Sequence, residues 1–269
     1  MAQTKLLNIV ASVAAQIGDT GYETYAQADV LKAVNEARGK IYLNYLQALG
    51  GDIGKFMEVF PEWVFENVMY ITAITGTTTL TITTSKPHRL ISGQLITITE
   101  VTGFGTNPNG NYAVLGTGLT ENKFQITHTV VSGSYTSGGK IVMRLSNNEL
   151  NLPIDCRTVI SGLLNSSSPS ITNGLIKKLT PEIYHEAKVN VYSPFAPAND
   201  AVKMYQKNTT IEIMVSSAAA ITGNAQIIYL GQPTAAVIDA TYNDIPDPEG
   251  WYMDTLDLAS ELLMSYELQ

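Results

Sequence analysis

Between residues 70 and 145, apolar residues alternate with threonine, and this pattern limits the fold more than any other feature of the sequence. In TLTITT, Leu80 and Ile82 are separated by threonine, and LITITE and KFQIT repeat the pattern. A period of two is typical of strands with one buried face. SG, NPNG and SGG between these runs indicate turns, and Asn109-Gly110 is expected to make a tight reversal. We therefore predict about six short strands that form a small sandwich or barrel.

Helical periodicity replaces this alternation at both ends of the chain. Residues 6–17 place apolar side chains on one face, and a second helical pattern covers residues 30–49. Asp29 or Thr24 is a candidate cap for the second helix. Gly39, in the middle of that helix, predicts that another helix approaches it closely. The two segments are expected to form a helical hairpin.

The sequence after residue 145 mixes both patterns. LNLPIDCRTVISGLL is typical of a strand, and TPEIYHEAKVNVY is typical of a helix with Thr180 as its cap and Pro181 in its first turn. Two strands with loops are predicted, one in APANDAVKMYQKNTTIEIMVS and one in NAQIIYLGQPTAAV. A closing helix is predicted from the spacing of Tyr252, Leu256, Ala259, Leu263 and Tyr266.

Together these patterns predict an α+β protein. Residues 1–70 and 145–269, from both chain ends, are expected to form a helical core with short strands. Residues 71–144 are expected to form an inserted β-rich sandwich or barrel module, because their turn signals and threonine content differ from those of the flanking segments.

Composition narrows the function classes. Charged residues make up 15% of the chain, against roughly a quarter in an average protein, which favours surfaces covered by partners. The net charge of −8 argues against binding nucleic acid by phosphate neutralisation. Cys156 is the only cysteine, so an internal disulfide is excluded and synthesis in a reducing compartment is expected. No apolar run approaches the roughly 20 residues that span a bilayer, and the N-terminal segment is interpreted as a helix rather than a signal peptide.

His88 is the first candidate for chemistry, because Arg89 follows it and Lys86 lies close in the sequence. A catalytic base needs an orienting acid and a nucleophile nearby, and the local segment supplies neither. We interpret His88 as a residue at a strand-to-turn corner that hydrogen-bonds to its own backbone.

Glu182 and His185 form a Glu-x-x-His pair on a predicted helix, with Glu186 beside them. Carboxylate di-iron bundles use this spacing, but they need a second such pair. The remaining histidines, His88 and His128, lie in the β segment, so the sequence offers no second pair. We interpret the three side chains as a solvated helix face and predict no metal site.

Asp155-Cys156-Arg157 is a candidate thiol site, because a neighbouring arginine can lower a thiol pKa. A single cysteine in a strand is more often a small packed apolar residue. Gly116-x-Gly118 lacks the third glycine of a dinucleotide fingerprint, and no phosphate-binding loop occurs. We therefore predict no enzyme and no cofactor.

The chain has fourteen tyrosines, and Trp63, Trp251 and Tyr252 lie near the ends of the predicted elements. Tyrosine and tryptophan are both favoured anchors of protein interfaces. The closing helix is expected to pack either on its own core or on a neighbouring chain. The interface candidates are Trp63, Trp251, Tyr252, Leu256, Leu263 and Tyr266.

The segment TTSKPHRLISGQLITITEVTG, with the following NGNYAV and NKFQIT, resembles a β module that recurs in phage tail and connector proteins. It is similar to the small barrel-like domain named after the first catalytic cysteine half of ubiquitin-activating enzymes. The shared pattern is a Pro-His pair, Ser-Gly, a β run, Asn-Gly-x-Tyr and a strand that contains Phe. No ubiquitin chemistry is implied, because this segment contains no cysteine.

The flanking segments resemble phage head–tail connector (adaptor) proteins, with podoviruses and crAss-like phages as the nearest likeness. Such proteins start with a helical pair and carry an LP-x-D-x-x-x-V-I strand, here residues 152–160. A Y-x-x-x-P strand follows, here residues 229–233. D-I-P then precedes a closing helix, here residues 244–246. As an order of features, the resemblance covers nearly the whole chain.

The resemblance implies a structural virion protein of the phage neck, made in the host cytoplasm. Connectors of this kind form a ring, commonly of about twelve copies, beneath the portal protein. The ring extends the DNA channel, and the genome passes through it without specific binding. Neighbouring tail-ring or tail-tube proteins are the further partners implied, with tail fibres as candidates, and no membrane is involved.

Two other functions stay open at this point. The first is a tail fibre or receptor-binding protein that uses the β module for attachment, although no repeat of roughly 20–50 residues is present. The second is a hydrolase of cell-wall or capsule polymer, which needs two apposed carboxylates or a metal. Glu182 and Asp155 are the acids to test for that activity.

Overall fold

The structure, a computed structural model, describes residues 4–129, 132–166, 171–190, 192–198, 201–215, 221, 223–233, 244–245 and 250–266. The chain forms two compact units, Met1–Phe65 with Leu230–Gln269 and Glu66–Tyr229. The second unit includes strands of both large sheets. Its limits therefore differ from those of the predicted module, residues 71–144, which contain strands of the six-stranded sheet alone.

The described residues form five α-helices, one 3₁₀ helix and fifteen strands. In chain order these are β1 (Thr4–Lys5), α1 (Leu6–Gln16), α2 (Gln27–Ala48), α3 (Ile53–Val59), the 3₁₀ helix (Pro61–Trp63), β2 (Val64–Glu66), β3 (Val68–Thr75), β4 (Thr79–Thr84), β5 (Leu95–Phe104), β6 (Gly110–Ala113), β7 (Lys123–Thr127), β8 (Gly133–Met143), β9 (Glu149–Asn151), β10 (Cys156–Ser166), β11 (Gly174–Lys178), α4 (Pro181–Val189), β12 (Lys203–Gln206), β13 (Thr210–Met214), β14 (Gly223–Gly231), β15 (Asp244–Ile245) and α5 (Trp251–Tyr266).

Strands β3 to β8 form a curled, nearly closed sheet in the order β6-β5-β8-β3-β4-β7. Alternation produces this sheet as predicted: one side chain in two faces inwards and is buried, and the threonines between them face outwards. The edge strands meet where the hydroxyl of Tyr112 lies 3.1 Å from Nδ1 of His128. The buried side chains that fill this barrel are Leu80, Ile82, Ile96, Ile98, Val101, Phe124, Ile126, Ile141 and Met143.

The expected tight reversal at Asn109-Gly110 is wrong. Asn109 does not adopt a positive φ; its side chain instead accepts a hydrogen bond from the amide of Val101 at 2.9 Å and donates one to the carbonyl of Val101 at 3.1 Å. The side-chain amide of Asn109 thereby makes the hydrogen bonds to β5 that the backbone of a neighbouring strand would otherwise make. The connection from β5 to β6 is consequently a longer loop, and Gly110 begins strand β6.

Helices α1, α2 and α5 share one apolar cluster within the first unit. The helical periodicity at both chain ends is thus confirmed. The predicted cap of α2 is wrong, because Ala26 occupies the cap position and makes no side-chain bond to the helix. The carboxylate of Asp19 accepts instead from the backbone amides of residues 23, 24 and 25, just before the helix begins.

The expected close approach of a helix to Gly39 is also wrong. A Cβ atom built at Gly39 meets nothing within 4 Å, so this face of α2 is open. Gly39 therefore has no packing role that an alanine would disturb.

The second large sheet has the strand order β2-β14-β10-β11-β12-β13-β9. APANDAVKMYQKNTTIEIMVS contains two strands, β12 and β13, rather than the single strand predicted, because the chain reverses at Lys207 and pairs with itself. Helix α4 begins at Pro181 as expected, and Thr180 stands at the cap position without a side-chain bond to the backbone. The coarse prediction of a mixed helix-and-sheet protein is therefore confirmed. Among the helices of the described residues, none combines the length and the apolar character that a bilayer span requires.

Candidate interaction surfaces and buried polar clusters

His88 lies in the loop between β4 and β5, and only 4% of it is exposed. Its Nδ1 accepts a hydrogen bond from the amide of Leu90 at 2.9 Å, so its Nε2 carries the proton and donates to the carbonyl of Lys123 at 3.0 Å. The ring packs edge-on against Phe124. Burial lowers the pKa of His88, which keeps the imidazole neutral. Both nitrogens bind backbone, which confirms the interpretation as a corner residue.

Arg89, the next residue, adopts a positive φ of 54° and takes part in a buried ionic cluster. Its Nε lies 2.7 Å from Oδ2 of Asp155, and its Nη1 donates to the hydroxyl of Tyr229 at 3.3 Å. The Tyr229 hydroxyl in turn donates to Oδ1 of Asp155 at 3.3 Å. Burial raises the pKa of Asp155, and the guanidinium of Arg89 opposes this rise. The cluster joins the β4–β5 loop of the barrel to β14 and to the loop before β10.

Sequence reasoning missed this cluster. In the sequence, Asp155 belongs to a strand motif, to the thiol candidate and to the acids considered for a hydrolase, whereas Tyr229 belongs to a second strand motif and Arg89 is only a neighbour of His88. Arg89 and Asp155 are 66 residues apart in the sequence, and Asp155 and Tyr229 are 74 residues apart. A periodic pattern in the sequence does not indicate contacts over such separations. The signal that could have singled out Asp155 is a carboxylate within the mostly apolar strand motif LPIDCRTVI.

Cys156 is half-buried, and its thiol is not activated. Burial and the adjacent carboxylate of Asp155 raise the pKa of Cys156 to about 12. The hypothesis that Arg157 lowers the pKa of this thiol is therefore wrong. A protonated thiol at the start of β10 agrees with a small packed residue.

Glu182, His185 and Glu186 lie on α4, as predicted, but they do not converge. The ring of His185 packs against Tyr184, and Glu186 accepts a hydrogen bond from the hydroxyl of Ser193 at 2.8 Å. Within the described ranges, no group of three or more His, Cys, Asp or Glu side chains is placed to hold a metal ion.

Helix α4 is instead fixed on the seven-stranded sheet by a polar network. The ring of Tyr184 stacks on Tyr205 with centroids 3.9 Å apart, and its hydroxyl donates to Glu212 at 2.7 Å. Glu212 also pairs with Lys188 at 3.1 Å and with Lys207 at 3.0 Å. Hydrogen bonds from the hydroxyl and the two ammonium groups lower the pKa of Glu212 against the opposing effect of burial. This network fixes α4 on β12 and β13 through Tyr205 and Glu212.

The predicted interface residues lie mostly inside the first unit. Trp63 and Trp251 are each 1% exposed, and their rings are 5.6 Å apart in an aromatic cluster with Tyr42, Tyr45, Phe56 and Phe60. Leu263 is fully buried, whereas Tyr252 and Leu256 are half-buried against the helical cluster. Of the two predicted arrangements, the structure shows α5 packed on the core of its own chain. A role at a subunit interface stays a prediction for Tyr252 and Leu256, and the side chain of Tyr266 lies outside the described residues.

Three adjacent strands of the seven-stranded sheet each expose an aliphatic side chain. Leu163 on β10 and Leu175 on β11 are direct cross-strand partners, with 42% and 82% of their surface exposed. Ile228 on β14 is 40% exposed, although Ile227 and Tyr229 on either side of it are buried. Lys177 follows two residues after Leu175 on the same face and is also exposed. We call Leu163, Leu175 and Lys177 the leucine–lysine face.

Charge is divided unevenly between the two units. Residues 1–65 and 230–269 contain fifteen Asp and Glu against five Lys and Arg, whereas residues 66–229 contain nine against eleven. The acidic character of the whole chain therefore comes from the unit of helices α1, α2 and α5.

No protein-family model and no curated protein matches the sequence. The resemblance to phage connectors consequently rests on the motifs of the sequence alone.

Proposed function

We propose that the protein is a head–tail connector ring protein of a phage virion. It joins the portal protein to the next ring of the tail and extends the DNA channel. In this proposal the barrel serves as an attachment surface. No reaction is required, and no cofactor takes part.

The leucine–lysine face is the observation that carries this proposal. Leu175 is 82% exposed and lies directly opposite a second exposed leucine, in a chain with only 15% charged residues. Paired aliphatic residues on an uncovered sheet face favour contact with another protein surface. The bonded nitrogens of His88, the raised thiol pKa of Cys156 and the dispersed acids of α4 give no comparable support to an enzyme.

Uneven charge supports a channel role in particular. The unit of α1, α2 and α5 has three times as many acidic as basic residues. If this unit lines the channel, its negative surface repels DNA phosphates and lets the genome pass without specific binding.

Native mass spectrometry of the purified chain, alone and mixed with its portal protein, tests the proposal. A closed ring in either sample supports a connector and gives the copy number. A trimer would favour the tail-fibre alternative, and a glycan array would then show whether residues 71–144 recognise a receptor. A monomer that does not bind the portal would contradict the connector function.

A further inference from the structure

A groove between α2 and α5 combines apolar residues with negative charge, whereas the leucine–lysine face combines apolar residues with positive charge. It has a volume of about 310 Å³, and Ile41, Tyr45 and Leu258 supply its apolar surface. Its acidic residues are Asp254, Asp257 and Glu261, all exposed on α5.

Two of the three acids of the groove, Asp254 and Asp257, are held in place by neighbouring helices. The hydroxyl of Tyr45 donates to Oδ2 of Asp254 at 3.1 Å, and Nε2 of Gln16 donates to Oδ1 of Asp257 at 3.1 Å. Each carboxylate retains acceptor capacity beyond that one bond, because an ionised carboxylate has about four lone-pair sites. Two held carboxylates, with the exposed Glu261 on the same helix, therefore present a negative edge beside an apolar surface.

The leucine–lysine face supplies the complementary groups, an exposed aliphatic side chain and a cation. Leu175 and Lys177 stand on one face of β11, two residues apart, so that an ammonium group lies beside a protruding aliphatic side chain. Lys203 on the adjacent strand is the register partner of Lys177, so two like charges lie next to each other. Like charges in direct cross-strand positions are unfavourable unless an anion compensates them.

We propose that the α2–α5 groove of one copy binds the leucine–lysine face of the next copy. Leu175 enters the groove between Ile41 and Leu258, and Lys177 pairs with the carboxylates of α5. Because the two surfaces differ, the contact runs head to tail and repeats from copy to copy, as a ring requires. This inference deepens the proposed connector function and rests on it.

Cross-linking between two different single-cysteine chains tests the contact. In a Cys156→Ser background, one preparation carries Leu175→Cys and the other carries Asn44→Cys, an exposed residue that lines the groove. After mixing, a short bismaleimide is expected to give a covalent two-chain product. The matched control replaces Leu175→Cys by Thr79→Cys, which is exposed on the barrel.

Charge exchange tests the lysine part of the contact. Lys177→Glu in the Leu175→Cys chain is expected to lower the cross-linking yield about tenfold, because like charges would then meet at the groove. Glu261→Lys in the partner chain is expected to restore part of the yield. Lys86→Glu makes the same charge change in the β4–β5 loop and is expected to leave the yield unchanged.

A yield no higher than that of the Thr79→Cys control would overturn the inference. So would a product that forms only within a chain carrying both cysteines and does not depend on concentration, because the groove would then bind its own chain. If native mass spectrometry shows a ring but this cross-link does not form, the connector function is supported and the proposed contact is contradicted. If the chains cross-link but form no ring, with or without the portal, the contact is supported and the connector function is contradicted.

Discussion

At the scale of single residues, Arg89 joins segments that lie far apart in the sequence. Its guanidinium is 2.7 Å from the carboxylate of Asp155, which is 2% exposed. Arg89→Met would leave that carboxylate buried without its cation, and we expect a loss of about 3–5 kcal/mol in the free energy of unfolding. Urea denaturation measures this loss, with Lys86→Met, a change on an exposed side chain, as the control.

Removing the charges of both Arg89 and Asp155 distinguishes the contribution of the ion pair to stability from that of side-chain packing. The double variant Arg89→Met/Asp155→Leu is expected to be more stable than Arg89→Met, because no unpaired carboxylate remains buried. Equal stability of the two variants would show that the lost side-chain volume, and not the ion pair, causes the destabilisation.

His88 gives the fold a defined dependence on pH. Burial lowers the pKa of His88 in the folded chain below the ordinary histidine value of 6.5, which applies to the unfolded chain. Between these two pKa values the unfolded chain therefore binds more protons than the folded one. Stability therefore falls as the pH drops through 6.5 and towards the pKa of the folded state. In an NMR titration, the imidazole resonance that is absent from a His88→Gln variant is expected to titrate below pH 6.5. A midpoint at or above 6.5 would contradict the buried neutral imidazole.

At the scale of elements, helix α2 contains a glycine that its packing does not need. Gly39 has open space at its Cβ position, so Gly39→Ala is expected to raise the free energy of unfolding by about 1 kcal/mol. Gly50, just after the same helix, has a φ of 67°, and Gly50→Ala is expected to cost about 1 kcal/mol. Thermal denaturation followed by circular dichroism compares them, and a shift in the same direction for both would contradict this account of α2.

Helix α5 has a buried and an exposed side chain at neighbouring positions, so the effects of truncating them on stability can be compared. Leu263 is fully buried, whereas Met264 is 51% exposed. Leu263→Ala is expected to cost about 2–5 kcal/mol of unfolding free energy, and Met264→Ala about 0.5 kcal/mol or less. Urea denaturation of the two variants measures the difference. If Leu263→Ala weakened association between copies without lowering stability, α5 would pack on a neighbour rather than on its own core.

Helices and strands were predictable from the sequence where a local period indicates which side chains are buried. Features that depend on contacts between distant side chains were not predictable. Alternation found the barrel strands between residues 68 and 143, and the 3.6-residue period found α1, α2 and α5. The predicted tight reversal at Asn109-Gly110 is wrong because the side-chain amide of Asn109 binds the backbone of Val101, eight residues away. Sheet order and the Arg89–Asp155 contact depend on pairing between segments far apart in the chain, for which a single sequence has no periodic signal.

At the scale of the whole molecule, the uneven charge of the two units is expected to make the proposed association between copies sensitive to salt. The acids of α5 and Lys177 attract each other across the proposed contact, and this attraction is screened when the Debye length falls from about 10 Å at 0.1 M salt to about 3 Å at 1 M. The leucines of the same contact are not screened. We therefore expect association to weaken between 0.1 M and 1 M NaCl without being abolished.

Sedimentation of the chain across this salt range, with the portal present where the ring requires it, measures the effect. Lys177→Glu removes the attracted cation, so its association is expected to be weak at 0.1 M NaCl and to lose the decline with salt. Lys86→Glu, the same charge change in the β4–β5 loop, is expected to keep the decline. Association that strengthened with salt in the unmodified chain would indicate a purely apolar contact, and the carboxylates of the α2–α5 groove would then have no part in joining the copies.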